Sequence, residues 1–454
     1  MFFQDLARFS SEIALIEGQQ ILSYAQLQAR VEEFSAQLPT FPALVILKGG
    51  NDIASLVAYL ACLKLGHPIL LADKQISDEH LNRLKSLYQP NLLIEAGHIQ
   101  QLNTHQHAVD DRLALLLSTS GSTGSPKQVC LSKANLQANA DSICQYLPIK
   151  ASDKTMTTLS PAYSYGLSVI NSHLLCGATI VLNDHSLISR GFWDSFEQHQ
   201  INSFAGVPYS YEMLLRLRFN QKNLPSLRYF TQAGGKLASE KVQLLSDFAE
   251  HNGSQFFVMY GQTEATARMA YNGNVASKPE AIGRPIAGGN FQLLDTQGKL
   301  ISQAKQRGEL VYSGPNVMLG YANHIDDLVS FSPSSELNTG DLAYRDNQGD
   351  YFICGRKNRM IKPFGQRINL DEVEALLADK ELEAAAVGSD NKLQIAIVAP
   401  KTVPLALDKL QQQLSRELSL HFSCIDLRQI HKIDLTTNNK RDYAKLQAWF
   451  HQPE

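Results

Sequence analysis

The sequence is poor in the features that mark specialised chains. Its six cysteines, Cys62, Cys130, Cys144, Cys176, Cys354 and Cys424, are scattered over 454 residues and form no CxxC pair. That scatter argues against a disulfide framework or a zinc site and fits a reducing cytoplasm. Neither sign of charge is in excess: 41 Lys plus Arg stand against 44 Asp plus Glu, a formal net charge of −3. Nothing in this balance calls for a nucleic-acid or an anionic-membrane partner. Long apolar runs are missing too. Runs such as 113–117 fall far short of the roughly 20 residues that span a bilayer. The N-terminus, MFFQDLARFSSE, has no basic stretch leading into an apolar run, so it does not read as a signal peptide. There are no repeats and no low-complexity tract.

What is present is ordinary globular material. Apolar residues make up 44% and charged residues 19%, enough for a sizeable core, and the length suggests more than one domain. Tyr24, Leu27, Val31, Phe34 and Leu38 recur at steps of three and four, one face of an amphipathic helix. Residues 53–65 read as a second helix. Short apolar runs at 43–47, 92–94, 113–117, 178–182 and 256–258 read as buried strands. Such alternation predicts α/β layers with largely parallel sheets. The Asn-, Gly- and Asp-rich tract 336–350 reads as turns. Beyond it, 371–377 and 405–418 read as helices and 393–398 as a strand, a small α+β domain. Asn369 with Glu372 resembles a capping box. Asp371, Glu372 and Glu374 read as helix-start acids favoured by the dipole.

The most informative segment is STSGSTGSPKQV at 118–129. It follows a buried strand and packs hydroxyls (Ser118, Thr119, Ser120, Ser122, Thr123), two glycines (Gly121, Gly124) and Lys127 together. Glycines let successive N–H groups turn toward an anion, hydroxyls add donors, and lysine adds charge. The spacing is not that of a Walker loop. A polar surface loop shares this composition, but the preceding strand and the Pro-Lys ending favour phosphate. The segment resembles the phosphate loop of the adenylate-forming superfamily of acyl-CoA synthetases, nonribosomal-peptide adenylation domains and firefly luciferase. Gln128 stands where that family usually has Gly.

Further motifs resemble the same family in order and spacing, from about Leu22 to Leu446. YGQTE at 260–264 resembles the motif in which tyrosine stacks on adenine. By that resemblance Tyr260, Gly261 and Gln262 lie against the base, Thr263 bonds the α-phosphate and Glu264 holds Mg²⁺, a hard cation that takes carboxylate oxygen. Ala233, Gly234 and Gly235 resemble the backbone segment along the adenine. The stretch GELVYSGPNVMLGYAN at 308–323 matches the family and reads as strand and turn. Asp341, in Thr-Gly-Asp, resembles the acceptor of both ribose hydroxyls. GRKNRMIKPFGQRINLDEVE at 355–374 resembles the hinge region. There Arg356 would reach ribose or phosphate and Gly365 would leave room for a pantetheine arm. Asn358 stands where the hinge usually has Asp or Lys. In LTTNNKRDYAKL, Lys440 corresponds to the catalytic lysine that stabilises charge between carboxylate and α-phosphate, and Asn439 stands where Gly is usual.

The resemblance implies an α/β fold. It has a large N-terminal domain of layered sheets and helices at 1–356 and a small mobile C-terminal α+β domain at 357–454. It also implies an ATP- and Mg²⁺-dependent ligase that makes an acyl-AMP and passes the acyl group to coenzyme A or a phosphopantetheinyl carrier protein. The acyl pocket falls at Tyr163, Ser164, Tyr165 and Gly166 on one side and Phe204, Gly206 and Val207 on the other. Amino-acid-activating relatives carry Asp where Ser164 stands, and a neutral hydroxyl does not offset a buried ammonium. The acid is therefore expected not to be an ordinary α-amino acid, but a fatty or other acid. Tyr163, Tyr165 and Tyr209 could grip an aromatic acid or close over an aliphatic one. Two alternatives stay open: an amino-acid adenylating domain with another amine anchor, and a degenerate nucleotide-binding regulator suggested by Gln128, Asn358 and Asn439.

Overall fold

The structure is a computed structural model. It describes residues 1–118, 127–361, 363, 368–389, 391–399, 406–418, 420–436 and 440–451, with the backbone alone at 358. Local sequence sets its elements. The helix Tyr24–Ser35 starts at a capping box in which Ser23 and Gln26 each bond the other's backbone N–H. Its buried face is Tyr24, Leu27, Val31 and Phe34, the expected stripe. The helix Ile53–Leu65 has the predicted limits. Asp52 accepts from Ser55 N at its start, and Gly66 ends it at φ +82°, a left-handed position that suits glycine. This helix is buried over most of its length, so its sequence is apolar all round.

The chain divides into two compact units. The first holds residues 1–118, 127–291 and 312–337 and contains two large sheets. One has nine strands, in the order Arg284–Pro285, Ala270–Asn272, Gln255–Tyr260, Tyr229–Gln232, Ser203–Gly206, Lys154–Met156, Thr179–Leu182, Ile13–Glu17 and Gln20–Ser23. The other has seven, in the order Gly320–Ala322, Gln128–Ser132, Leu113–Ser118, Ile69–Asp73, Val45–Gly49, Leu92–Glu95 and His98–Gln101. The inner pairings of both are parallel and the edges antiparallel. This agrees with the expected α/β layers, since parallel strands need helical crossovers.

The second unit holds residues 292–311 and the described residues from 338 to 451. Its C-terminal part is a three-stranded sheet of Ala384–Ser389, Lys392–Val398 and Ile425–Ile430, packed with the helices Leu370–Ala378, Leu407–Glu417 and Tyr443–Phe450. A four-stranded sheet of Asn290–Leu294, Gly308–Ser313, Glu336–Arg345 and Tyr351–Arg356 lies largely in this unit.

Three expectations need correction here. The tract 336–350 is not all turn: Glu336–Arg345 is a ten-residue strand. Leu337, Thr339, Asp341 and Ala343 alternate as its buried side, a period of two that the turn-forming composition hid. The cap at Asn369 forms, but as a single bond from Asp371 N. Glu372 pairs instead with Arg307 at 2.8 Å, so no reciprocal box exists. Glu374 is not a dipole acid. It accepts from Arg359 at 2.6 Å, Arg441 at 2.6 Å, Tyr443 Oη at 3.0 Å and Ala386 N at 2.8 Å.

Candidate active site

Within the first unit, the predicted residues converge from three directions. The strand Gln128–Ser132 begins at the exit of the glycine-rich loop and pairs with Gly320–Ala322, with Tyr321 opposite Val129. Tyr321 thereby links two predicted groups: Lys127 Nζ lies 3.4 Å from its ring centroid, and its hydroxyl donates to Glu264 Oε1 at 3.0 Å. Burial first, then the Glu264 charge, raise the Tyr321 pKa. The phenol therefore stays a donor. One residue before Glu264, Thr263 Oγ1 lies 3.1 Å from Ser164 Oγ, both buried. Lys127, Tyr321, Glu264, Thr263 and Ser164 thus run in sequence from the loop exit to the expected acyl pocket.

The Thr263–Arg268 loop is held by amides. Asn316, buried, donates to the carbonyls of Ala265 at 2.7 Å and Arg268 at 2.8 Å, and accepts from Tyr312 Oη. Asn135 in turn donates to the carbonyls of Pro315 and Val317. The loop is tight. A Cβ at Gly261 would lie 1.7 Å from Ala267 O, so only glycine permits this approach. Thr266 and Ala267 have φ of +54° and +90°, a local strain of the sort found at ligand sites. Gly234, at φ +90°, would press a Cβ within 2.6 Å of Tyr163 Oη, which puts the expected adenine segment against the expected acyl wall. Tyr260 meets Phe291 edge to face, with centroids 6.2 Å apart.

The acyl pocket is a tyrosine-rich cluster. Tyr163 and Tyr165 pack with Ala205, Val207, Ala233 and Met259. The Tyr165 hydroxyl bonds Thr231, and burial pushes the Tyr163 hydroxyl up to about 12. Gly166 packs its bare face on the Ser160 carbonyl, where a Cβ would lie at 2.3 Å. Two predicted members point elsewhere. Phe204 lies among Phe192, Phe196, Tyr211, Phe219 and Phe230 on the other side of the strand, because alternate strand residues face opposite ways. Ala205 takes the pocket side. Gly206 makes room for the Tyr211 ring, 2.6 Å from a built Cβ. Tyr209 is 39% exposed.

In the second unit, Asp341 is buried and ion-paired with Arg356, Nε to Oδ1 at 2.9 Å, across directly paired strand positions. Thr339 Oγ1 accepts from Asp341 N at 3.1 Å and donates to Leu310 O at 2.7 Å. A cavity of about 270 Å³ is lined by Thr339, Gly340, Arg356 and Lys357. Lys440 sits in a tight turn: its N donates to Thr436 Oγ1 at 3.2 Å and its O accepts from Thr436 N at 2.7 Å. The next residue, Arg441, anchors on Glu374 and on Ala384 O at 2.8 Å. Of the expected site, Thr119, Ser120, Gly121, Ser122, Thr123, Gly124 and Gly365 lie outside the described residues, as does Asn439. Sequence reasoning missed Tyr321 and Asn316. Both lie in the 308–323 stretch, whose only signal was its likeness to the family.

A model of the AMP-binding enzyme family matches residues 88–322, just over half the chain. The chain belongs to that family. This AMP-binding enzyme is an adenylate-forming ligase, activating a carboxylic acid as an acyl-AMP. It is 26% identical to a D-alanine–D-alanyl carrier protein ligase of Bacillus licheniformis, over 83% of this chain and 82% of the relative. It is also 26% identical to an indoleacetate–CoA ligase of Aromatoleum aromaticum, over 85% and 83%. Its fold matches the o-succinylbenzoate coenzyme A synthetase of Bacillus subtilis, solved with ATP and magnesium, at a TM-score of 0.80 and 21% identity over 98% and 99% of the chains. Gln128, where the family usually has Gly, is buried and accepts from Ser118 Oγ at 3.2 Å. Among the described residues no helix is long and apolar enough to cross a membrane.

Proposed function

We propose that this AMP-binding enzyme joins a carboxylic acid other than an α-amino acid to a phosphopantetheine thiol, of coenzyme A or of a carrier protein. The acid's carboxylate displaces pyrophosphate from ATP to give acyl-AMP. The thiol then displaces AMP, forming the thioester and releasing a proton. The observation that carries this reading is the run from Lys127 through Tyr321, Glu264 and Thr263 to Ser164. It runs from Lys127, just after the expected phosphate loop, to a tyrosine-rich pocket where the Ser164 hydroxyl stands in place of the carboxylate expected for an α-amino acid. Relatives named for coenzyme A and for carrier proteins support a pantetheine acceptor of either kind. The six cysteines form no disulfide, which suits a cytoplasmic location.

In this reading Lys127 and the loop from Thr119 to Gly124 hold phosphates, Thr263 bonds the α-phosphate, and Tyr260 with the Ala233–Gly235 backbone flanks adenine. Asp341 takes the ribose diol, with Arg356 beside it. Among the described residues no three or more His, Cys, Asp or Glu form a metal cluster. A lone Glu264 fits Mg²⁺, which binds through one or two carboxylates together with substrate phosphates and water. Bound there, Mg²⁺ would neutralise triphosphate charge. Lys440 offsets the charge that develops at the carboxylate and α-phosphate. We place a hinge near Arg356, from which the segment 357–454 moves to bring Lys440 for the first step and Gly365, with space for the pantetheine arm, for the second.

Pyrophosphate exchange across a panel of acids tests the reading. Exchange with non-amino acids is the expected result. Exchange confined to α-amino acids would overturn the substrate class, and exchange with no acid would overturn the activity.

A further inference from the structure

Arg268 is the largest fully buried side chain among the described residues, 1% exposed. Its guanidinium donates from Nε to Ser168 Oγ at 3.2 Å and from Nη1 to Met259 Sδ at 2.9 Å, and lies 4.0 Å over the Tyr165 ring. Among the described residues no carboxylate forms an ion pair with it. A guanidinium carries five donors and cannot shed its charge. A thioether is a weak acceptor, and a π face offsets only part of a desolvated cation. Such a charge persists in a core when something else balances it.

The chain is forced to put it there. Thr266 and Ala267 take positive φ immediately before it. Asn139 and Asn316 both clasp its carbonyl. The neighbours belong to the expected acyl pocket: Tyr165 and Met259 pack with Tyr163 and Val207, and Ser168 follows Ser164 by one turn of the helix Ser164–Cys176. Ser164, against Thr263, marks the end where the carboxylate would be activated. Ser168 lies about 6 Å further along the helix.

We propose that Arg268 determines specificity, selecting acids that carry a second anionic group about 6 Å from the carboxyl group that is activated. A short dicarboxylic acid or a carboxylate-bearing aromatic acid has this chemistry. The second carboxylate takes the free donors of the guanidinium in charge-assisted bonds, and the tyrosines line the carbon chain between. This inference rests on the adenylation reading.

The test is pyrophosphate exchange with matched acids: glutarate against pentanoate, adipate against hexanoate, and terephthalate against 4-methylbenzoate. The wild-type enzyme should favour at least one diacid over its neutral partner by 10-fold or more in kcat/KM. Arg268→Met should lose about 10- to 150-fold on that diacid, the worth of hydrogen bonds to a charged group, and keep or gain on the neutral acid. The wild-type preference should hold up to pH 9, where guanidinium stays charged, and fall in acid as the second carboxylate protonates. Arg268→Lys keeps the charge without the fork and covers the case in which the methionine variant does not fold; the diacid preference should shrink in it too. Preference of the wild-type enzyme for neutral acids, or an unchanged ratio in both variants, would overturn the proposal and leave adenylation standing. Exchange with none of these acids, nor with any other, would overturn both.

Discussion

Two arginines, Arg268 buried in the first unit and Arg359 half-buried in the second, are held in opposite ways. Arg359 faces two carboxylates, Asp371 and Glu374, and lies 3.9 Å over the Tyr443 ring. Arg268 faces a hydroxyl, a thioether and a ring. The contrast extends to the surrounding segments. The turn that carries Lys440 is tied down by ions, through Arg441 and Glu374. The loop that carries Glu264 is tied down by the amides of Asn316 and Asn139. Around Glu374 the protein's charges neutralise one another and act as scaffold. Around Arg268 dipoles hold the chain, and the charge remains for a ligand.

The largest expected effect bears on this contrast directly. Glu374→Ala leaves Arg359 and Arg441 without their shared partner; the groups are half-buried and Arg359 keeps Asp371, so the loss should be about 3 kcal/mol, the low end for breaking a buried pair from one side. Arg268→Met removes a cation that no carboxylate among the described residues pairs with, and should leave the folded protein's stability within about 1 kcal/mol of wild type. Urea unfolding of the two variants measures both. A stable Glu374→Ala beside a crippled Arg268→Met would reverse the assignment of scaffold and ligand charges.

Next come the ligand charges themselves. Lys440→Ala should slow acyl-AMP formation by about 10²–10³ while leaving transfer from supplied acyl-AMP largely intact, as separate half-reaction assays would record. Equal loss of both steps in a folded variant would make Lys440 part of the scaffold. Asp341→Ala should weaken ATP binding by about 10- to 150-fold, read by calorimetry. Unchanged affinity would mean that Asp341 serves only Arg356.

The smallest effect distinguishes the first unit by pH. His173 is buried, with Nδ1–H donating to Val169 O at 2.7 Å and Nε2 accepting from Tyr229 Oη at 2.9 Å. Burial lowers its pKa from 6.5 to about 4. Between those values the unfolded chain binds a proton that the folded chain does not. Stability is therefore full above pH 6.5 and falls as pH drops toward 4. From pH 7.5 to 5.5 this contribution should fall by roughly 1 kcal/mol, and the fall should be absent in His173→Gln. An identical slope in that variant would remove His173 from the account.

Local patterns were legible in the sequence. The helix Ile53–Leu65 was legible because its ends are local: Asp52 and Gly66, which the structure shows capping it, act over three or four residues. The motifs at Lys127, Glu264 and Asp341 were visible because each is contiguous. What escaped depends on partners far along the chain. Tyr321 becomes a bridge only through its strand pairing with Val129. Glu374 becomes a hub only once Arg441 folds back onto it. The direction of Phe204 follows from strand register, which composition does not carry. The strand Glu336–Arg345 was misread because Asn338, Gly340 and Asp341 are turn formers by local chemistry, and tertiary pairing overrode them.

The strand Ser203–Gly206 has a consequence for how such a chain changes over generations. Phe204 belongs to the ring cluster on one face, while Ala205, with Val207 just past the strand, belongs to the tyrosine pocket on the other. Selection for folding and selection for a new acid therefore read alternate letters of the same short word. A lineage can enlarge, narrow or recharge the pocket through Ala205 and Val207 while the aromatic core remains untouched, so drift in substrate need not pass through an unfolded ancestor.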